Sequence, residues 1–206
     1  MTIELSKHPL VQHHLTILRD IKTGAPAFRR ACSGMTQVLV AEAAKFLKMN
    51  LLPVQTPLEA MEGSQIAGSV VFVPILRAGL GMLDDAMATI PNSSVGYIGL
   101  ERNELTAVAS CYYAKIPELD AQSQVFVLDP MLATGGSAVQ CVEQLKQCGA
   151  SQVSMICIIA APEGIECLRA AHPDVSIVAG KIDRQLNAQK YILPGLGDFG
   201  DRLFNT

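Results

Sequence analysis

Charge is scarce in this sequence. Asp, Glu, Lys and Arg make up 17% of the 206 residues, and the net charge is −3. That balance excludes the basic footprint of a non-specific nucleic-acid binder. Cysteine occurs six times but never as CxxC, so the usual zinc and thiol–disulfide spacings are absent. The chain is not a short secreted scaffold, and a reducing cytoplasm is its expected setting. Cys141, Cys148 and Cys157 lie in apolar patterns, where free cysteine acts as a small hydrophobe. No hydrophobic run suits a membrane span: the most apolar stretch, IAGSVVFVPILRAGLGML, is interrupted by Pro74, Arg77 and several glycines. The opening MTIELSKHPL has nothing resembling a signal peptide's apolar core. Repeats, low-complexity tracts and long linkers are missing too.

What is present is apolar. Half of the residues are hydrophobic and the mean hydropathy is +0.30. Such a composition fits a parallel sheet covered on both faces, whose strands read as continuous apolar runs. A buried subunit interface pushes composition the same way, so a homodimer or higher homo-oligomer is expected. The length suits one domain over residues 1–206.

Residues 10–48 read as helical: VQHHLTILRDI, a Gly-Ala-Pro turn, then FRRACSGMTQVLVAEAAKFLK with Gly34 as a weak point. His13 and His14 are adjacent, so they point in different directions from a helix, and no HxxxH partner follows. They read as ordinary helix residues. From residue 69 onward, strands alternate with helices. SVVFVP, SVGYIGL, QVFVLD, SQVSMICIIA and VSIVAG read as strands, and ASCYYAKI as a further extended run after the turn ERNEL. AGLGMLDDAMATI, SAVQCVEQLKQC and GIECLRAAH read as helices. In the second of these, apolar residues at 138, 141, 142, 145 and 148 follow helical spacing and Gly149 supplies the stop. The alternation implies right-handed crossovers and an α/β fold: an open, mostly parallel sheet flanked by helices. An N-terminal helical part over residues 1–60 precedes it. The Gly-, Asp- and Asn-rich end, residues 180–206, reads as a loop-rich hood over the sheet's carboxyl edge, where such sheets place ligands.

One loop carries the chemistry. LDPMLATGGS, residues 128–137, joins a greasy strand to a helix. N–H groups at a helix start have no partner inside the helix and attract anions, while the glycines let phosphate oxygens approach. Thr134 and Ser137 add hydroxyls. No lysine sits in the loop, so the GxxxxGK[ST] pattern of triphosphate hydrolysis is absent. The alternative is a plain tight turn with Ser137 as the helix cap. Asp129 at the strand end favours the ligand reading, because it can accept from sugar hydroxyls while the turn holds a phosphate. Together they describe a ribose 5-phosphate group. Arg77 in PILRAG and Arg102 in ER stand just past two other strands, where they could embrace a second polyanion. Taken singly, either arginine reads as a surface salt bridge.

DPMLATGGS resembles the phosphoribosyl-pyrophosphate loop of the type I phosphoribosyltransferases, and its wording is similar to that of the uracil phosphoribosyltransferases. HPLV at 8–11, VPILRAGLGML at 73–83, YYAKIP at 112–117, YILPGLGD at 191–198 and GDRLF at 200–204 carry the likeness over nearly the whole chain. Most type I relatives end the strand with two acids; here the second is Pro130. The resemblance implies transfer of the 5-phosphoribosyl group from phosphoribosyl pyrophosphate to uracil, giving UMP and pyrophosphate in pyrimidine salvage. It implies that Arg77, Arg102, Asp129, Pro130, Met131, Leu132, Ala133, Thr134, Gly135, Gly136, Ser137 and Asp198 bind phosphoribosyl pyrophosphate. Arg102 and Asp198 would be catalytic. Ile192, Gly197, Asp198 and Phe199 would contact uracil, largely through main-chain groups, and residues 180–206 would form the uracil-binding hood. Mg²⁺ would arrive on the substrate rather than in a protein cage, and GTP is a candidate activator.

The sequence departs from the family pattern in the hood. Phe199 stands where alanine is common, Gln185 and Lys190 where glycines are frequent, and Asn205 where glycine is usual. Lost glycines could shift turn geometry there. GLGDFG at 195–200 satisfies GxGxxG, yet the chain ends at Thr206, leaving no room for the helix and strand of a dinucleotide fold. Two other functions compete: the same enzyme class with another base, which the GLGD hood opposes, and a nucleotide-sensing RNA-binding regulator, which the acidic balance opposes.

Overall fold

Alternate residues of a strand face opposite sides of its sheet, and here both sides are apolar. In β4 (Val70–Leu76), Val70 and Phe72 join one core while Val71, Val73 and Ile75 join the other. In β8 (Gln124–Leu128), Phe126 and Leu128 divide from Val125 and Val127 in the same way. Both strands are therefore buried between helical layers, as their continuous apolar runs imply.

The computed structural model describes the backbone of residues 1–102 and 109–206, and the side chains of residues 1–100 and 112–206. A short edge strand β1 (Thr2–Glu4) leads into α1 (Pro9–Arg19), α2 (Ala25–Ala43) and a single 3-10 turn at Ala44–Phe46. Next come a hairpin of β2 (Met49–Gln55) and β3 (Ala60–Ile66), then β4 and α3 (Leu80–Thr89). β5 (Ser93–Val95), β6 (Tyr97–Arg102), β7 (Ala109–Lys115) and β8 follow. The rest is β9 (Met131–Leu132), α4 (Gly136–Gln147), β10 (Gln152–Ala160), α5 (Pro162–Ala171), β11 (Ser176–Ile182), β12 (Gln185–Leu186), β13 (Ile192–Leu193) and α6 (Phe199–Phe204). The sheet runs β1-β11-β10-β8-β4-β6-β7, with β5 beside β4 and β9 beside β10. All these pairs are parallel except β6–β7. Helices α1, α2, α3 and α6 pack on one face, α4 and α5 on the other.

Chain order reverses between β4 and β8. From β4 the chain steps through α3 to β6 on one side; from β8 it steps through α4 to β10 on the other. Loops leaving the carboxyl ends of these two neighbours diverge and open a crevice, the usual ligand position in such sheets.

Several local expectations change. The helical N-terminal part ends at the 3-10 turn, and residues 49–66 form an antiparallel hairpin. Pro26 lies in the first turn of α2 rather than in a preceding turn, where its fixed φ is already helical. Gly34 does not weaken α2: a Cβ there would overlap the His14 ring, so glycine lets α1 and α2 pack closely. Cys141 and Cys157 are fully buried, but Cys148 caps α4 and is exposed. The next residue, Gly149, takes the left-handed stop with φ +99°.

Candidate active site

The loop after β8 builds a cavity of about 230 Å³, lined by Asp129, Met131–Ser137 apart from Gly136, Ala138 and Leu100. Pro130 is buried behind it, its carbonyl accepting from the N–H groups of Ile158 and Ile159 at 3.0 Å. Met131 and Leu132 pair with Ile159 and Ala160 as β9, so the loop is anchored to β10 before it turns. The cap of α4 is Gly135, with φ +84°, and not Ser137. Val139 N–H to the Gly135 carbonyl, 2.9 Å, is the first bond of the helix. The N–H groups of Gly136, Ser137 and Ala138 thus lack an acceptor within the helix.

The two glycines do different work. A Cβ on Gly135 would lie 2.8 Å from the Gly164 carbonyl oxygen and from Cys167 Cβ, so this residue is fixed by packing against α5 as well as by its φ. A Cβ on Gly136 would meet only Thr134 Oγ1, at 3.9 Å. Protein packing leaves that position open, which is what a close phosphate requires.

Asp129 sits partly buried at the cavity wall. Burial pushes its carboxyl up to about 7, against a weaker opposing effect from the Met131 N–H, 3.4 Å from Oδ1. Across the crevice, the turn after β4 comes so close that a Cβ on Gly79 would overlap the Leu128 carbonyl oxygen. The Leu76–Arg77 peptide in this turn is cis. Arg77 is exposed, and its Nη2 lies 3.8 Å from Asp201 Oδ1. An exposed pair of this kind is worth about 0–1 kcal/mol, so an arriving polyanion can take the guanidinium at little cost. Arg102 ends β6, but its side chain lies outside the described residues.

The hood is a small β12–β13 hairpin, a turn through Pro194–Gly197, and α6. Asp198 is exposed and caps α6, Oδ1 accepting from Asp201 N–H at 2.9 Å. Ile192 is buried in β13 and Gly197 is exposed with φ +83°. The Phe199 side chain points into the core, ring centroid 5.1 Å from that of Phe28 in an edge-on arrangement. Its bulk therefore stays out of the hood's outer surface. Lys190 and Asn205, expected to disturb turns that glycine would favour, adopt φ +67° and +62°. The left-handed turns survive without glycine, while Gln185 pairs with Leu193 in β12–β13.

The cavity does not include the hood residues or Arg77; Arg77 itself reaches the hood at Asp201. Sequence reasoning missed what holds the hood. Arg19 Nη2 pairs with Asp183 Oδ1 at 2.5 Å, and Arg202 donates to the carbonyls of Leu18, Asp20 and Leu196. A buried acid ending the apolar run of β11 was the one available signal. Among the described residues, no group of three or more His, Cys, Asp or Glu could hold a metal, and no helix is long and apolar enough to cross a membrane.

The family model for uracil phosphoribosyltransferase matches residues 5–206. A uracil phosphoribosyltransferase of Thermosipho africanus is 47% identical, covering all of both chains, and one of Wolinella succinogenes is 46% identical over 97% of each. Among solved structures, the AQ2163 protein of Aquifex aeolicus superposes with a TM-score of 0.92 at 38% identity, covering 99% of this chain and 98% of its own. An adenine phosphoribosyltransferase of Trypanosoma brucei shares the fold at TM-score 0.62 and 16% identity, over 96% of this chain and 87% of its own.

Proposed function

Because the chain belongs to the uracil phosphoribosyltransferase family, we propose how its own residues carry the family's reaction, in which uracil and phosphoribosyl pyrophosphate give UMP and pyrophosphate. The fold is that of the type I phosphoribosyltransferases. One observation supports the site assignment above the rest: the Asp129 carboxylate and the first turn of α4, through Ser137 and Ala138, line a single cavity beside the sheet's reversal point.

The difficulty of the reaction is charge. As the bond from the anomeric carbon to pyrophosphate breaks, the ribose becomes oxocarbenium-like and the leaving group more anionic. Catalysis then consists of holding the ring and neutralising the pyrophosphate, with no covalent intermediate required. The amides of Gly136, Ser137 and Ala138 and the hydroxyls of Thr134 and Ser137 hold the 5-phosphate, aided by the α4 dipole. Ionised Asp129 accepts from the ribose hydroxyls. Arg77 leaves Asp201 and turns to the pyrophosphate, joined by Arg102. The main chain of Ile192, Gly197 and Phe199 reads the polar edge of uracil, and the buried Phe199 ring keeps that edge in place. Asp198, exposed at the start of α6, positions substrate near the reacting carbon.

The residues present fit a metal brought by the substrate. Mg²⁺ is commonly held by one or two carboxylates plus substrate phosphates, and Asp129 and Asp198 offer isolated carboxylates rather than a cage. When bound, the ion would neutralise pyrophosphate charge. A homo-oligomer is proposed from the apolar composition together with the uncovered apolar hairpin β2–β3. GTP as an activator and a cytoplasmic setting belong to the same proposal.

The test is formation of UMP from labelled uracil, with and without phosphoribosyl pyrophosphate and Mg²⁺. Label should reach UMP only when both are present, and adding GTP to the same assay reads activation. Binding of RNA without UMP formation would support the regulator instead.

A further inference from the structure

We propose that Arg19 and Asp183 are positioning residues for base recognition. Their ion pair grips both main-chain polar groups of Gly195 and thereby sets where the main-chain edge from Gly197 to Phe199 lies. This inference rests on the reading of that edge as the uracil site.

Asp183 directly follows β11, and its N–H bonds to the Ala160 carbonyl at 2.8 Å, so its backbone is fixed to the sheet's carboxyl edge. Its side chain is 1% exposed, and both carboxylate oxygens are used. Oδ1 accepts from Arg19 Nη2 at 2.5 Å, and Oδ2 accepts from Gly195 N–H at 3.0 Å. Arg19, the last residue of α1, also donates through Nη1 to the Gly195 carbonyl at 3.0 Å. Gly195 has φ +66°, and a Cβ there would overlap the Ile192 carbonyl oxygen. The turn is therefore held by glycine geometry on one side and by a closed ring of charge-assisted bonds on the other.

A buried ion pair is a poor way to gain stability, because desolvation offsets its attraction and apolar side chains can serve as well. It is a good way to fix one geometry among several. Gly195 stands two residues before Gly197, so a shift at the ring moves the donors and acceptors that face the base. Discrimination between bases depends on those groups pairing fully with the right one. The far end of the hood has its own attachment: Arg202 bonds to the Leu196 and Asp20 carbonyls at 2.7 and 2.6 Å and lies 4.5 Å over the Phe28 ring. Losing the Arg19–Asp183 ring thus loosens the turn without detaching α6.

The experiment compares the parent with Asp183→Asn and with the double variant Asp183→Asn/Arg19→Gln. The double variant leaves no uncompensated buried charge, so it keeps the question open where the single variant is unstable. Steady-state kinetics with uracil and with cytosine are read beside amide hydrogen exchange over residues 131–137 and 194–199. We expect KM for uracil to rise about tenfold or more, uracil-over-cytosine preference to fall, and KM for phosphoribosyl pyrophosphate to stay unchanged. Exchange should quicken at 194–199 and not at 131–137. Arg19→Lys, which keeps the charge on Asp183, should recover part of the uracil KM. An unchanged uracil KM, or both KM values rising together with uniformly faster exchange, overturns the proposal. If the parent itself makes no UMP, the functional reading fails instead. The ring is then judged by exchange alone, and unaltered protection at 194–199 overturns it.

Discussion

At the scale of single residues, two carboxylates have opposite relations to stability. Asp129 holds its proton up to about 7 in the folded chain because burial disfavours the charge, whereas the unfolded chain releases it near the ordinary value of 3.8. Between those values the folded state binds more protons, so its contribution is full below the lower one and is lost as pH rises through the upper. Asp129→Asn should therefore melt higher than the parent at pH ~8, by about 1–3 kcal/mol, with no gain at pH ~4. The parent's kcat/KM for phosphoribosyl pyrophosphate should rise through about pH 7, and the variant should lose that rise. Melting curves and pH–rate profiles of the two proteins check both halves; equal stability at high pH counts against the burial account. Asp198 instead stabilises its element by capping α6. Asparagine caps about as well as aspartate, so Asp198→Asn should keep the melting temperature while turnover falls about 10–100-fold. Asp198→Ala should lose about 1 kcal/mol in addition. Near-normal turnover in the asparagine variant would remove Asp198 from the site.

At the scale of elements, the β8–α4 connection separates packing from binding within two adjacent residues. Gly135→Ala places a methyl against the Gly164 carbonyl and Cys167, at a backbone angle that L-residues avoid. It should cost about 1–3 kcal/mol of stability. Gly136→Ala meets no protein atom closer than 3.9 Å, so its stability should match the parent's while KM for phosphoribosyl pyrophosphate rises about tenfold or more. Denaturant unfolding and kinetics of the pair would show whether the second glycine is kept for a ligand; equal kinetics for Gly136→Ala and the parent would say it is not. This connection was legible in the sequence because its signals are local: an apolar strand, an acid, two glycines and a helical period. The alternative reading, a plain turn capped by Ser137, put the cap two positions late, since Ser137 has the usual capping chemistry and only the left-handed φ of Gly135 reveals the cap. The hairpin β2–β3 was not legible. MNLLPVQ lacks strict alternation and contains Pro53, which ordinarily marks an edge. Its turn is closed by Thr56 Oγ1 accepting from the Leu58 and Glu59 N–H groups, a side-chain device that no apolar pattern signals. The Arg19–Asp183 pair was hidden for another reason, its partners being 164 residues apart.

At the scale of the molecule, the same hairpin bears on assembly. β2 and β3 form a separate two-stranded sheet, joined to the rest where Gln124 accepts from Lys48 N–H at 2.9 Å and donates to the Ala67 carbonyl at 3.0 Å. Met49, Leu51, Val54, Leu58, Met61 and Ile66 are all exposed along it. A lone two-stranded hairpin is marginal in water, and apolar side chains left exposed on both of its faces mark an interaction site. The low charge of the whole chain fits this arrangement, because apolar residues beyond those needed for the two core layers have somewhere to go. A second copy of the chain is the partner that the composition favours. Leu51 and Met61 lie on opposite faces of the hairpin, since Leu51 pairs with Ser64 and Met61 with Val54. Leu51→Lys with Met61→Lys should therefore deny either face to a neighbour. In sedimentation at micromolar concentration the parent should run as a homo-oligomer and the double variant as a smaller species, with the α/β core still melting cooperatively. A parent that runs as a monomer would leave the hairpin's apolar surface to some other partner and refute the assembly.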